Sequence, residues 1–460
     1  MSRREFDSRG YRWFTSSLLG IALLGAVAAT FAGAGNSPNE PPLGEPAVRD
    51  SLPPGRWNMA RPAEPAPRSH LTDEQRAEFA RLQSIGYLTG SAPAPTTDGV
   101  VLHDAARTQA GFNLYTSGHF PGAVLMDMEG NVLHEWNCSF DDVWPDYETP
   151  EAYESPDASL QRARNMETWR RAYLFENGDI LAIYEGLALA KLDKDSRVIW
   201  TYRRECHHDL EVADDGTIYV LSRDALIVPW VNARWPILED YVSVLDPDGN
   251  ELKRVSILDA LERSPYRCLL ENARTRGDLL HTNTVELLDG RLADRIPAFK
   301  KGNVLISMLR ISVVAVLDLE SEKIVWAMSG MWHEQHQPTI LENGRMMVFD
   351  NRGKKCCGGE EESRVMEFDP VTQEVIWTYE GGEDVEFYSH SCGSCQRLPN
   401  GNTLISESDY GRAMEVTSQG EIVWEYLNPY RAGDDDEFIA TLYEMIRLPQ
   451  NFPMAWAEWR

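Results

Sequence analysis

His207–Arg223 reads HHDLEVADDGTIYVLSR, His281–Gly290 reads HTNTVELLDG and His336–Arg352 reads HQPTILENGRMMVFDNR. Each stretch opens on histidine and runs through an apolar strand into an Asp/Asn-Gly turn. Such turns between apolar runs are the strongest short-range signal for a β-hairpin. They recur at Glu176-Asn177-Gly178-Asp179, Asp214-Asp215-Gly216-Thr217, Glu342-Asn343-Gly344-Arg345 and Pro399-Asn400-Gly401-Asn402. Closing runs recur with them: GNVLHEW to Trp136, SRVIWTY to Tyr202, EKIVWAM to Met328, QEVIWTY to Tyr379 and GEIVWEY to Tyr426. About six copies, at a period of roughly forty residues with four short strands each, predict an all-β chain folded as a six-bladed β-propeller.

The 460 residues carry a formal charge of −28 and no basic run. Nucleic acid is therefore excluded as a partner, because its phosphates would be repelled. Trp13–Gly33 is apolar, preceded by Arg3, Arg4, Arg9 and Arg12, with no basic residue after it until Arg49. That asymmetry sends the remainder of the chain across a membrane, so an extracytoplasmic location is expected, membrane-anchored or secreted. Residues 1–35 read as a signal peptide or signal anchor and 36–70 as a Pro-rich linker. Residues 71–100 read as a short helix and connector, 101–430 as the propeller, and 431–460 as a C-terminal extension packing on it. The helix is expected over Thr72–Leu82, with Thr72 and Gln75 as its capping box. Nothing in the sequence fixes an oligomeric state, and a homo-oligomer is compatible with it.

Seven cysteines in an exported chain invite a disulfide reading. Cys356-Cys357 and Cys392-x-x-Cys395 fall at the end of one hairpin and the start of the next unit, which favours pairing between them. Zinc is the rival, although an adjacent cysteine pair fits two corners of a tetrahedron poorly.

Aligned on Gly216, Gly290 and Gly344, the residues His208, His281 and His336 occupy equivalent positions within one residue. First strands line the channel of a propeller, so the three imidazoles should converge. His333 and His207 fall out of phase. Arg310 ends the strand NVLISMLR, Arg223 ends TIYVLSR, and Asn351-Arg352 follow VFD. Guanidinium beside imidazole in an acidic protein suits an oxyanion. Three histidines also suit zinc or copper, with Asp209 or Asp350 as a carboxylate, but an adjacent arginine would repel the cation. Histidine as a nucleophile toward sulfur or phosphorus needs no metal and no cofactor.

At these residues the chain resembles the arylsulfate sulfotransferase family. The resemblance lies in His281-Thr282-Asn283 followed by a strand ending in Arg310, in Gln335-His336 opening a strand that ends Phe349-Asp350-Asn351, and in His207-His208-Asp209. It extends to the last unit, Gln396–Ile405 and Gly420–Tyr426, and covers roughly Gly111 to Pro429. The resemblance implies six blades and transfer of a sulfuryl group from an aryl sulfate donor to a phenolic acceptor without a nucleotide sulfate. It implies His336 as the nucleophile that becomes sulfated, with His208, His281, Asn283 and Arg310 holding the sulfuryl group; Arg223, Asn351 and Arg352 are expected to help bind substrate. The insertion between Leu288 and Lys301 and the cysteine-rich stretch depart from the family pattern and leave the acceptor open. Other readings stand beside it: a non-catalytic extracytoplasmic propeller binding carbohydrate or protein, and a quinone- or metal-dependent propeller enzyme.

Overall fold

The computed structural model describes residues 71–83, 89–147, 166–351, 362–382, 385–433 and 435–457. The apolar stretch Trp13–Gly33, the linker, Arg352, Cys356 and Cys357 lie outside them. Among the described residues no helix is long and apolar enough to cross a membrane.

Antiparallel sheets dominate, as the alternation of short strands and Gly turns requires. Five follow chain order, and their first strands are Arg171–Leu174, Glu205–Val212, Thr282–Leu287, His336–Ile340 and Ser394–Arg397. A sixth is assembled from both ends of the described chain: Leu442–Pro449 pairs with Gly111–Ser117, which leads on to Gly122–Met126 and Val132–Asn137. Gly99–His103 in turn pairs with Ile422–Leu427 on the outer edge of the last sheet. The residues expected to pack as a C-terminal extension therefore supply an inner strand, and the chain ends lock the array from two sides.

Each sheet is apolar on both faces and must be covered on both. Six clusters meet that need, one between each neighbouring pair. Leu125, Trp136 and Ile180 fill one seam, Leu181, Leu210 and Val220 the next, and Val242, Val285 and Ile306 the third. Leu305, Val316 and Met346 follow, then Phe349, Ile405 and Met414, and Tyr115, Val124 and Leu404 close the circle. The result is an all-β, propeller-like array around an axis lined by first strands. Burial of this much apolar surface, at about 25 cal/mol per Å², is the main force holding the sheets together.

The tryptophans that close the repeats have a physical task. Trp136 Nε1 donates to Gly178 O at 3.1 Å, Trp200 to Pro247 O at 3.2 Å, Trp377 to Ser418 O at 3.0 Å and Trp424 to Met128 O at 2.9 Å. Every one of these bonds reaches a turn of the neighbouring sheet. Trp136 and Trp424 thus bury the indole in the seam while satisfying its polar atom, and Trp200 and Trp377 do so half-buried.

The helix expected near the start is present as Asp73–Gln83. Its capping box is formed, with Gln75 N donating to Thr72 Oγ1 at 3.1 Å and Thr72 N to Gln75 Oε1 at 2.8 Å. The insertion 288–301 carries a short 3₁₀ turn, Pro297–Phe299, whose Phe299 is buried against Trp326.

Candidate active site

Three consecutive first strands are bulged at one height. Register slips between Cys206 and Leu210, between Thr282 and Thr284, and between His336 and Thr339. Residues beside these slips take the left-handed conformation: His208 at φ 55°, His281 at 51° and Gln337 at 44°. Such backbone is costly for residues with a Cβ, and a bulge re-aims side chains that a regular strand would leave alternating. Here it turns imidazoles toward the axis.

The histidines do meet. His208 Nε2 lies 3.1 Å from His281 Nε2, and His208 Nδ1 lies 2.8 Å from His207 Nδ1. His281 Nδ1 bonds the Asp278 carboxylate. His208 and His336 line one small cavity of about 20 Å³ together with Asn283, Arg170, Tyr443, Gly393 and Ser394. Its remaining walls include Arg171, Asp209 and Gln337, which are shared with an open cavity of about 910 Å³.

His336 is almost wholly buried, and its Nδ1 lies 2.8 Å from Asn351 Oδ1. Asn351 Nδ2 donates to Ser389 O and Cys392 O, both at 2.8 Å, which fixes the amide orientation because a flipped oxygen would face two carbonyls. Asn351 Oδ1 must then accept from His336 Nδ1–H, and the lone pair of the neutral ring resides on Nε2. Burial pushes the His336 pKa down to about 3, with Arg170 and His281 adding to the shift and the Asn351 bond opposing it. Burial also drives His207 and His208 well below the ordinary imidazole value, helped by the charges of neighbouring groups. Asp278 behaves in the opposite sense: burial alone would raise it, and His281, Arg310 and Arg223 outweigh burial and hold it below the usual carboxylate range.

Arginine is arranged differently from the expectation. Arg310 sits on a half-buried turn with Nε 3.8 Å from Asp278 Oδ2, behind His281, and is not a wall of the small cavity. The arginines that line it are Arg170, which lies over the Tyr443 ring at 5.9 Å, and Arg171, which pairs with Asp209 and Glu444. Arg223 is buried against Glu185 at 3.5 Å, and Asn351 holds His336 rather than facing the cavity. Sequence reading missed Arg170, Tyr443 and Glu444. Arg170 immediately precedes the first strand Arg171–Leu174, a position that could have marked it. Tyr443 and Glu444 had no such mark, since the strand that carries them has neither the histidine nor the Gly turn of the repeat.

Several polar motif residues turn out to join strands. Asp209 accepts from Val285 N at 2.9 Å and pairs with Arg171 at 2.7 Å, Asp240 accepts from Thr282 N at 2.7 Å, and Glu185 accepts from His208 N at 3.0 Å. Each carboxylate accepts from an amide of a first strand. Asn283 Nδ2 similarly reaches Gln335 O at 2.9 Å.

Glu185, His207 and His208 offer ligand atoms within 4.8 Å of one another, so a cation could be held there. Two features oppose it: Arg223 lies against the same carboxylate, and the bond between His207 and His208 occupies both Nδ1 atoms. Cys392 and Cys395 are buried thiols that form no bridge with each other; their pairing with Cys356 and Cys357 lies outside the described residues. Burial pushes both up to about 12.

The solved structures that this one is similar to are distant in sequence. A protein of unknown function from Bacteroides caccae superposes with a TM-score of 0.45 at 11% identity, over 73% of this chain and 98% of that one. The WD40 β-propeller domain of Doa1 gives 0.39 at 10% identity, over 79% and 96%. BamB from Moraxella catarrhalis gives 0.31 at 12% identity, over 72% and 76%. No curated protein matches the sequence. A family model does: that of the arylsulfotransferases (ASST), over residues 171–429, a span that holds His208, His281, Asn283, Arg310, His336 and Asn351. With more than half of its length matched, the chain belongs to the arylsulfotransferase family.

Proposed function

We propose that this protein is an aryl sulfotransferase that uses no nucleotide sulfate and moves the sulfuryl group in two steps through His336, on a six-bladed propeller. The observation that carries the reading is the His336–Asn351 pair. A neutral imidazole whose Nδ1–H is committed to a fixed amide oxygen has its lone pair on Nε2, the atom a sulfur electrophile requires. In the first step that lone pair forms the N–S bond as the S–O bond to the aryl group breaks. Asn283 and Arg170 stabilise the sulfuryl oxygens, a task suited to fixed donors in a dry site. The acceptor phenol then gives up its proton to the neighbouring imidazoles and its oxygen bonds the same sulfur as the N–S bond breaks, which restores neutral His336. The aryl groups occupy the larger cavity, where Ile340, Leu341 and Leu398 provide apolar wall beside the arginines. The Arg-flanked apolar stretch Trp13–Gly33 supports an extracytoplasmic site of action, on the membrane or secreted.

The test is direct. Protein mixed with 4-nitrophenyl sulfate and no acceptor should release about one equivalent of nitrophenol rapidly and then stall, as a covalent intermediate demands. Peptide mass analysis should find the sulfuryl group on His336. A label on another residue, or steady hydrolysis without a burst, overturns the assignment.

A further inference from the structure

Beyond the transfer itself, the buried imidazoles next to His336 form a chain. Asp278 bonds His281 Nδ1; His281 Nε2 meets His208 Nε2 at 3.1 Å; His208 Nδ1 meets His207 Nδ1 at 2.8 Å. At the far end, His207 Nε2 has no hydrogen-bond partner among the described residues and stands 3.7 Å from Asp240 Oδ1. Each contact between two ring nitrogens holds one proton, so donor and acceptor roles along the chain are tied together.

One arrangement of neutral rings satisfies every contact, and one added proton can rest on any of the three rings, each time leaving an N–H on His207 Nε2. With three neutral rings, His281 Nδ1–H donates to Asp278, His208 Nε2–H to His281, and His207 Nδ1–H to His208. The Nε2 of His207 is then a bare lone pair beside Asp240. Adding one proton at His281 Nε2 reverses the two inner bonds and ends with an N–H on His207 Nε2 facing the Asp240 carboxylate. His207 and Asp240 thereby take part in holding the added proton, although they lie away from the small cavity, which His208 alone of the chain lines.

We propose that Asp278, His281, His208, His207 and Asp240 form a proton store for the transfer, in which the excess proton is held near the sulfuryl site and His207 with Asp240 positions it. The proposal rests on the sulfuryl-transfer reading. In the first step the His336–S bond forms, the S–O bond breaks with its electron pair on the aryl oxygen, and the stored proton passes to that oxygen, leaving three neutral rings. In the second step the acceptor hydroxyl returns its proton to the chain as its oxygen bonds sulfur and the N–S bond breaks. Charge and atoms balance without any co-reactant. Burial disfavours the excess proton on His208 and His207, and Asp278, held below the usual carboxylate range by its cationic neighbours, supplies a negative charge at the other end of the chain. Glu185, Arg170, Arg223 and Arg310 are the other charged groups facing the chain.

Leaving-group dependence separates a proton store from mere packing. The full-length protein, His207→Gln and Asp240→Asn should be compared on 4-nitrophenyl sulfate, whose oxide leaves unaided, and on phenyl sulfate, whose oxide needs the proton. The variants should lose severalfold on the first donor and about a hundredfold or more on the second, the range of general acid catalysis. Equal losses on both donors, or none, overturn the proton store while leaving sulfuryl transfer intact. Absence of transfer by the unaltered protein would instead overturn the reading beneath it. Nitrogen-15 NMR gives a readout apart from activity: slowly exchanging downfield imidazole N–H signals should be present for the chain and for His336, and in His207→Gln the signal of the His207–His208 contact should vanish while that of His336 stays. Should the unaltered protein lack them, the chain of bonds does not exist in solution.

Discussion

At the scale of single residues, the site depends on which nitrogen of His336 carries its proton. Asn351 decides this by an argument of counting: its two amide hydrogens are taken by Ser389 O and Cys392 O, so only an acceptor remains for the ring. Replacing Asn351 by Leu keeps the volume and removes the constraint. The single-turnover rate should then fall by about a hundredfold or more, as when a catalytic imidazole loses its tautomer partner; rapid-quench measurement at saturating donor would show it, and an unchanged rate would free Nδ1 from the argument. Protonation gives a second prediction. The His336 pKa is lowered from ~6.5 in the unfolded chain to about 3 in the fold, so in acid the unfolded state binds a proton that the native state refuses. Stability conferred by the neutral ring is thus full above ~6.5 and lost progressively as pH falls toward about 3. Urea unfolding of the native protein and His336→Asn near pH 7.5 and pH 5 should show the native protein losing more of its stability at the lower pH. A parallel pair of curves would contradict the sign.

At the scale of elements, the bulged inner strands matter more than their regular parts. Around the ring, Gly393 plays the role that His208, His281 and Gln337 play in the preceding sheets, with φ 108°. A Cβ there would meet the Phe349 ring at 2.5 Å, and Phe349 is the register partner of His336. Gly393→Ala combines backbone strain with overpacking. We expect a loss of about 2–4 kcal/mol in unfolding free energy, measured by denaturant titration, together with a reduced burst amplitude as His336 shifts. A neutral substitution would mean that the loop relaxes freely. The hairpins and their Gly turns were legible because a period of two and an Asn/Asp-Gly step are local properties. The bulges were not, since an extra residue in one strand is defined only against its partner.

At the scale of the whole molecule, closure brings the last piece of the site. Leu442–Pro449 completes the sheet begun by Gly111–Ser117 and carries Tyr443 and Glu444 to the cavity, where Glu444 pairs with Arg171 at 2.5 Å and bonds Gln337 at 2.9 Å. A chain ending at Thr441 should therefore lose both sulfuryl transfer and cooperative unfolding. Calorimetry should show a broadened transition at lower temperature; a truncated chain that melts like the full one would demote the strand to an accessory.

The sequence by itself determined the all-β repeat, the strand-closing tryptophans, the capped helix at Asp73 and the convergence of His208, His281 and His336. All of these follow from spacing against a local turn. Tertiary structure alone decided that Arg170, not Arg310, lines the cavity with His336, that Asn351 orients the ring, and that His207 joins the chain of imidazoles rather than standing apart. The physical reason is common to all three. A repeat specifies which residue lies at a given height, whereas the direction of a side chain at a bulge, and the strand that arrives from the far end of the chain, are fixed only when the sheets pack into a closed ring.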